Sequence, residues 1–183
     1  MKKKIAIYAN GWGAENVALF IKGIEYYLSD KDTDLFTFLS YGFYSMSKAD
    51  EDAENSVFGI VDIDRFDGAI VFSNGLNNTS VAFDIVCRAK KAGIPVVSLG
   101  IHFDGASFVN VNNYVGMREL SRHLVFDHKV RNVVYLGGNE GNPDSESRYN
   151  ALSEALAEVG EKVSKIHYTN WATDATVEII DNF

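Results

Sequence analysis

The sequence has a single cysteine, Cys87, so it has no disulfide framework. It has no apolar run long enough to cross a bilayer. It has no basic stripe: 17 Lys and Arg face 25 Asp and Glu, for a net charge of −8. Nucleic-acid affinity comes largely from neutralising phosphates, so that composition argues against a nucleic-acid partner. The one basic cluster, Lys2–Lys3–Lys4, could pass for the start of a signal peptide. The apolar stretch behind it, residues 5–9, is too short for a signal core and has no small-residue cleavage site. Low-complexity tracts and repeats of 20 to 50 residues are also missing. Together these absences predict a cytoplasmic chain with no membrane partner. Asn78–Thr79–Ser80 fits the glycosylation pattern, which has meaning only in a secreted chain.

The residues that are present suit one large domain or two small lobes. Hydrophobic residues make up 46% of the 183 and charged residues 23%, an ordinary globular balance. A chain of this size buries roughly 70% of its unfolded surface, enough for a real core.

Strand-like and helix-like patterns alternate. Residues 4–9 read as a short buried strand. Val17, Phe20, Ile21, Ile24, Tyr27 and Leu28 then form one face of a helix. A second strand is expected at 35–39, followed by a polar surface loop over 41–56 and then a short helix. The third strand spans 69–72. The helix at 78–92 begins with cap residues and stops at Gly93, with Pro95 just beyond. Strands follow at 96–99 and 108–111, then a helix at 114–126 and a strand at 133–136. The pattern closes with a helix at 145–159 ending at Gly160, a strand at 164–168 and a helix from 173. This is α/β alternation, and it predicts parallel sheets with helices on both faces. Only the passage 100–107 joins two strands without a helix. It suggests that the chain leaves one sheet for another, and it places a lobe boundary there: 1–105 and 106–183.

Polar residues collect where the strands end. The ends read Asn10–Gly11–Trp12–Gly13, Ser73–Asn74–Gly75, Gly100–Ile101–His102, Asn112–Asn113, Gly137–Gly138–Asn139–Glu140 and Thr169–Asn170–Trp171. Open α/β sheets bind ligands outside the carboxyl ends of their strands. Neutral hydrogen-bonding groups and two tryptophans suit a neutral, flat-faced polar ligand such as a sugar or nucleoside. The plain alternative is that α/β loops are polar in any case.

Enzyme motifs fare poorly. Gly11–Trp12–Gly13–Ala14–Glu15–Asn16 supplies two glycines of a dinucleotide fingerprint, but Asn16 replaces the third. The stretch "GGNEGNPDSESRYNAL" lacks the Lys–Ser/Thr pair of a phosphate loop, and Glu140, Asp144 and Glu146 would repel phosphate. No G-x-S-x-G elbow is present. His102, His123, His128, His167 and Cys87 show no metal-ligand spacing. His123 and His128 read as structural residues near a helix end, and His102 as either a ligand donor or a plain loop histidine. Glu140 and Asp144 read as an acid/base pair or as solvated acids at a helix start.

Three stretches carry a family resemblance. They are "IAIYANGWGAENVALFIKGIE", "FVNVNNYVGMRELSRHL" and "VRNVVYLGGNEGNPDSESRYNALSEALAEVG", which together span nearly the whole chain. They resemble the ligand-binding core of LacI/GalR-type regulators, relatives of periplasmic sugar-binding proteins. The resemblance implies that Arg148 reaches from its helix to grip a ligand. It implies further contacts from Asp144 one turn earlier, from Trp171 by stacking, and from the first loop, Trp12 to Asn16, on the other lobe. Asn10, Ser73, Asn74, His102 and Asn112 complete the candidate set. The competing reading of Arg148 is a surface arginine paired with Glu146 or Asp144, and that of Trp171 is a core residue.

The departures from the family are specific. Asn112 stands where the family usually has Asp, and Asn16 where some relatives carry an aromatic. No helix-turn-helix precedes the first strand. The strands that normally follow in the second lobe do not, so the expectation is a complete first lobe and a partial second one. The implied function is sensing of a small polar molecule between two lobes, by a homodimer of a regulator or signalling protein. No cofactor, metal or catalytic residue is expected. The alternatives are an α/β enzyme acting on a sugar or nucleotide, a sensor fused to a GGDEF-type diguanylate cyclase output, a transport-binding protein, and a module that only dimerises.

Overall fold

Strand β1 (Lys3–Asn10) is an interior strand of its sheet, second from one edge, although it comes first in the chain. From Ala6 to Ala9 it is wholly buried. The strand is apolar on both sides because helices cover both faces of a parallel sheet. Ala6 and Tyr8 point into one core with Phe58, Val71, Leu76 and Ile85. Ile7 and Ala9 point the other way, to Phe72, Val17, Ile21 and Ile24. The two-residue period of the strand thus sorts its side chains between two helical layers. The computed structural model of the chain describes residues 2–11, 14–42, 46–76, 78–170 and 172–182.

The chain divides into two compact units, Met1–Asn110 and Val111–Phe183. The first holds β1, α1 (Ala14–Leu28), β2 (Thr33–Ser40), α2 (Lys48–Gly59), β3 (Gly68–Val71), α3 (Thr79–Ala92), β4 (Val96–Leu99) and β5 (Ser107–Val109). Its strands lie in the order β2-β1-β3-β4-β5, all parallel. The order reverses between β1 and β3, so the crossovers diverge there and leave a crevice at the strand ends. Helix α1 packs on one face of the sheet, and α2 and α3 pack on the other.

Two sequence expectations are corrected in this unit. Residues 41–56 do not form one long surface loop, because α2 begins at Lys48. Its cap was readable: Ser47 Oγ accepts from Asp50 N–H at 3.2 Å. The passage 100–107 does not leave the sheet, because β5 pairs with β4 and belongs to the first unit. Ser73 and two glycines make that short return possible. Gly100 adopts φ +113 and lies so close to Asn74 that a Cβ would collide with it. The apolar face of α1 is only partly covered: Phe20 stays 55% exposed and Tyr27 70%. They border a hollow of about 820 Å3 against Ile70, Pro95 and Val97, where the sheet has no second helix.

The second unit holds α4 (Asn113–Arg122), β6 (Val133–Gly137), α5 (Pro143–Ala157), β7 (Val163–Tyr168) and α6 (Thr173–Asp181). β6 and β7 form a two-stranded parallel sheet. Its core is Val125, Leu152, Ala155 and Leu156, packed with Met117, Val133 and Tyr135. Arg118 and Arg122 on α4 bridge Glu154 and Glu158 on α5, which fixes the helix pair. The helix expected over 114–126 does not stay α throughout. It widens into a π turn over His123–Asp127, with Lys129 left-handed behind it at φ +55.

Candidate ligand site

In the second unit the site is built from two helix starts and one strand end. Asn142 caps α5 by accepting from Ser145 N–H at 3.0 Å, and Pro143 supplies the preset first turn. Arg148 therefore emerges one turn in, and it is exposed. Its Nε and Nη2 both donate to Asn113 Oδ1, at 2.9 and 2.7 Å. A guanidinium carries five donors in a rigid fork, so one amide oxygen fixes the group while leaving donors over. Glu146, the suggested ion partner of Arg148, instead accepts from the Tyr168 hydroxyl at 3.2 Å. Burial, followed by that neighbouring carboxylate, pushes the Tyr168 phenol up from its ordinary range.

The paired glycines after β6 have a packing cause. A Cβ on Gly137 would stand 3.1 Å from Ser145 Oγ, 3.1 Å from Tyr168 Cδ1 and 3.2 Å from Tyr135 Cε1. Gly138 N–H donates to Ser145 Oγ at 3.2 Å, so strand and helix start are tied together. Beside them Asn139 Oδ1 is buried and has no hydrogen-bond partner among the described residues. A buried acceptor in that state costs free energy until a donor reaches it. Asn139 appears in the sequence among the strand-end residues, but nothing there distinguishes it from its neighbours.

Asp144 lies half-buried in the first turn of α5, one turn before Arg148. Asn112 caps α4, its Oδ1 accepting from Val115 N–H at 3.1 Å. The amide that departs from the family's Asp therefore has a structural duty. Trp171 lies outside the described residues.

In the first unit Asn10, Ser73, Asn74 and His102 gather at the carboxyl end of the sheet. Asn10 is 5% exposed and donates from Nδ2 to Gly42 O at 2.6 Å. Ser73 is buried, and its hydroxyl is occupied internally. It lies 2.7 Å from Ser98 Oγ, bonds Leu99 O at 3.0 Å and accepts from Ile101 N–H at 2.9 Å. Ser73 thus braces the turn that returns the chain to β5 and offers little to a ligand. Asn74 is exposed next to that turn. His102 is exposed, with its ring edge-on to Phe108 at 4.8 Å. Asn16 sits on the first turn of α1 and lines the apolar hollow under that helix. Trp12 lies outside the described residues.

The two units thus have the build of periplasmic-binding-protein-like folds: parallel sheets flanked by helices, with polar residues at the strand ends. Comparison with solved structures gives the same class. The chain is similar to an ABC-transporter periplasmic solute-binding protein from Actinobacillus succinogenes with bound D-allose, at TM-score 0.74 and 22% identity over 99% of this chain and 64% of that one. It is similar to a periplasmic binding protein/LacI transcriptional regulator from Alkaliphilus metalliredigens complexed with D-xylulofuranose. There the TM-score is 0.64 and identity 19%, over 97% of this chain and 60% of that one. It is also similar to a sugar-binding transcriptional regulator of the LacI family from Enterococcus faecalis, at TM-score 0.70 and 17% identity over 100% of this chain and 63% of that one. At these identities the likeness is one of fold. The chain spans less than two thirds of the length of each of these three structures. No family model and no curated protein matches the sequence. No helix among the described residues is long and apolar enough to cross a membrane.

Proposed function

We propose that the chain is a sensing domain that binds a small neutral polar molecule, of the sugar or polyol class, at the carboxyl ends of its strands. The observation that carries the reading is the Arg148 fork held by Asn113, with an unpartnered buried acceptor, Asn139 Oδ1, at the neighbouring strand end. A sugar hydroxyl both donates and accepts, so one ligand can satisfy both groups. The solved proteins of the same fold described with D-allose and D-xylulofuranose support the class of ligand.

Arg148, Asp144 and Asn139 form the ligand set on one lobe. Asn74 and His102 offer further polar contacts on the first unit. Closure shifts an equilibrium only by the ligand's differential affinity for the closed state, and here that difference drives a homodimer interface or an attached output. The sensor is cytoplasmic in this reading, and it binds its ligand without chemistry.

Titration calorimetry with a panel of pentoses, hexoses, polyols and nucleosides tests it. A saturable response with a pentose, hexose or polyol that is lost in Arg148→Ala is expected. No response to any of them, or an unchanged response in the variant, overturns it. The likeness to the Actinobacillus succinogenes protein favours one second reading, carriage of the same ligand to a transporter.

A further inference from the structure

The π turn at the end of α4 brings together two side chains that an α-helix would hold apart. His128 N–H donates to His123 O at 3.2 Å, the five-residue closure of a π turn. In an α-helix five residues are about 1.4 turns, which would put the two histidines on different faces. Here the rings stand edge to face, with planes at 87° and centroids 4.6 Å apart. Their Nε2 atoms are 3.0 Å apart. On the far side of the first ring, His123 Nδ1 lies 2.6 Å from Asp127 Oδ2. Both histidines are exposed, so the pair is open to solvent.

We propose that His123 and His128 form a two-imidazole site for a divalent transition-metal ion, with Cu2+ or Ni2+ preferred over Zn2+. Two nitrogens this close share either one proton or one cation. With metal–nitrogen bonds of about 2.0–2.1 Å, a 3.0 Å separation corresponds to an angle a little over 90°, whereas a tetrahedral site needs about 3.3 Å. A near-right angle is the cis edge of a tetragonal or octahedral ion, the preference of Cu2+ and Ni2+. Asp127 supplies the outer partner. An Nδ1–H donated to its carboxylate leaves the His123 Nε2 lone pair for the metal and fixes the ring.

The neighbouring cations do not compete for the space. Arg122 pairs with Glu158, and its guanidinium lies over the Phe126 ring at 4.8 Å. Lys129 turns the chain away in its left-handed conformation, and Val130 N–H closes on Leu124 O at 3.0 Å. Among the described residues no third His, Cys, Asp or Glu joins a cluster, so water fills the remaining positions. The H-x4-H spacing falls within the histidine half of a zinc-finger motif, but the single cysteine of the chain cannot supply the other half, and here the π closure is what brings the rings together.

The test uses tag-free full chain titrated with CuCl2 and NiCl2, read by calorimetry and, for copper, by electron paramagnetic resonance. One equivalent of Cu2+ with nitrogen hyperfine structure is expected, bound more tightly than Zn2+. His123→Ala and His128→Gln each weaken it at least tenfold. Asp127→Asn weakens it about 10- to 100-fold. His102→Ala leaves it unchanged. In the wild-type protein, Ni2+ must also block modification of His123 and His128 by diethyl pyrocarbonate, mapped by mass spectrometry, which needs no variant to fold. Absence of binding, binding that survives His128→Gln, or no protection of the two rings overturns the proposal.

Discussion

Arg148 and Asn113 are joined twice through a single atom: Nε and Nη2 of the arginine both donate to Asn113 Oδ1, at 2.9 and 2.7 Å. The arginine is thereby aimed without being neutralised, because its partner is an amide and not a carboxylate. Ligand affinity should depend on both residues. Arg148→Ala should cost about 1.5–3 kcal/mol of binding, the range for a hydrogen bond to a charged group. Asn113→Ala should weaken binding less, by leaving the fork free to wander. Asn113→Asp should weaken it through competition for the guanidinium. Calorimetry with the tightest sugar or polyol of the panel measures all three.

Gly137 is where the second unit tolerates least added volume. Gly137→Ala should destabilise that unit by about 1–3 kcal/mol, the usual range for overpacking, because three side chains surround the new methyl group. Gly116 lies on α4 with no atom within 4 Å of an added Cβ. Gly116→Ala should therefore be neutral or stabilising, by up to about 1 kcal/mol from helix propensity. Thermal melts should show a lowered midpoint for Gly137→Ala and an unchanged or raised one for Gly116→Ala.

Ile7 and Leu19 separate burial from hydrophobicity. Ile7 is completely buried and Leu19 is 60% exposed. Ile7→Ala should lower stability by about 2–5 kcal/mol. Leu19→Ser should stay within about 0.5 kcal/mol, and it should reduce binding of a hydrophobic dye to the hollow beneath α1. Urea unfolding and dye fluorescence read the two effects separately.

Acid should loosen the start of the sheet. Asp67 accepts from Lys3 Nζ at 2.8 Å and from Lys4 N–H at 2.9 Å. The Lys3 ammonium, and then the backbone donor, hold its carboxyl below the ordinary 3.8. A depressed folded value favours the folded state above the unfolded value, and that stability is lost as pH falls through the folded one. Wild-type stability should therefore drop more steeply than that of Asp67→Asn below about pH 4. Hydrogen exchange at the β1 amides, followed from pH 5 to pH 3, checks the direction.

The layers were legible because burial writes itself into period and composition. The apolar runs of β1 and β3, the Asn78 cap and the Gly93 stop of α3 all carry local signals that tertiary packing did not override. Helix α2 was placed too late because its residues are polar and its one fully buried apolar anchor, Phe58, lies near its end. The return of β5 to β4 was missed because it depends on hydroxyl bonds among Ser73, Ser98 and Ile101, which leave no periodic trace. At the candidate site, Arg148 and Asp144 were singled out through the family resemblance. The Asn113 brace was not, since no spacing rule links residues 35 apart. The cap duty of Asn112 was equally hidden, because an amide before a helix reads the same whether it faces a ligand or its own backbone.

The interior place of β1, between β2 and β3, governs how the first unit can assemble. Lys3 pairs with Thr33, and Ile5 pairs with Gly68, so the earliest strand waits for partners 30 and more than 60 residues downstream. Closing loops of that length is an entropic toll met before any contact rewards it. Refolding of this unit should consequently be slow for its size, as topologies rich in distant pairings are. During synthesis β1 stays unpaired on one side until β3 leaves the ribosome.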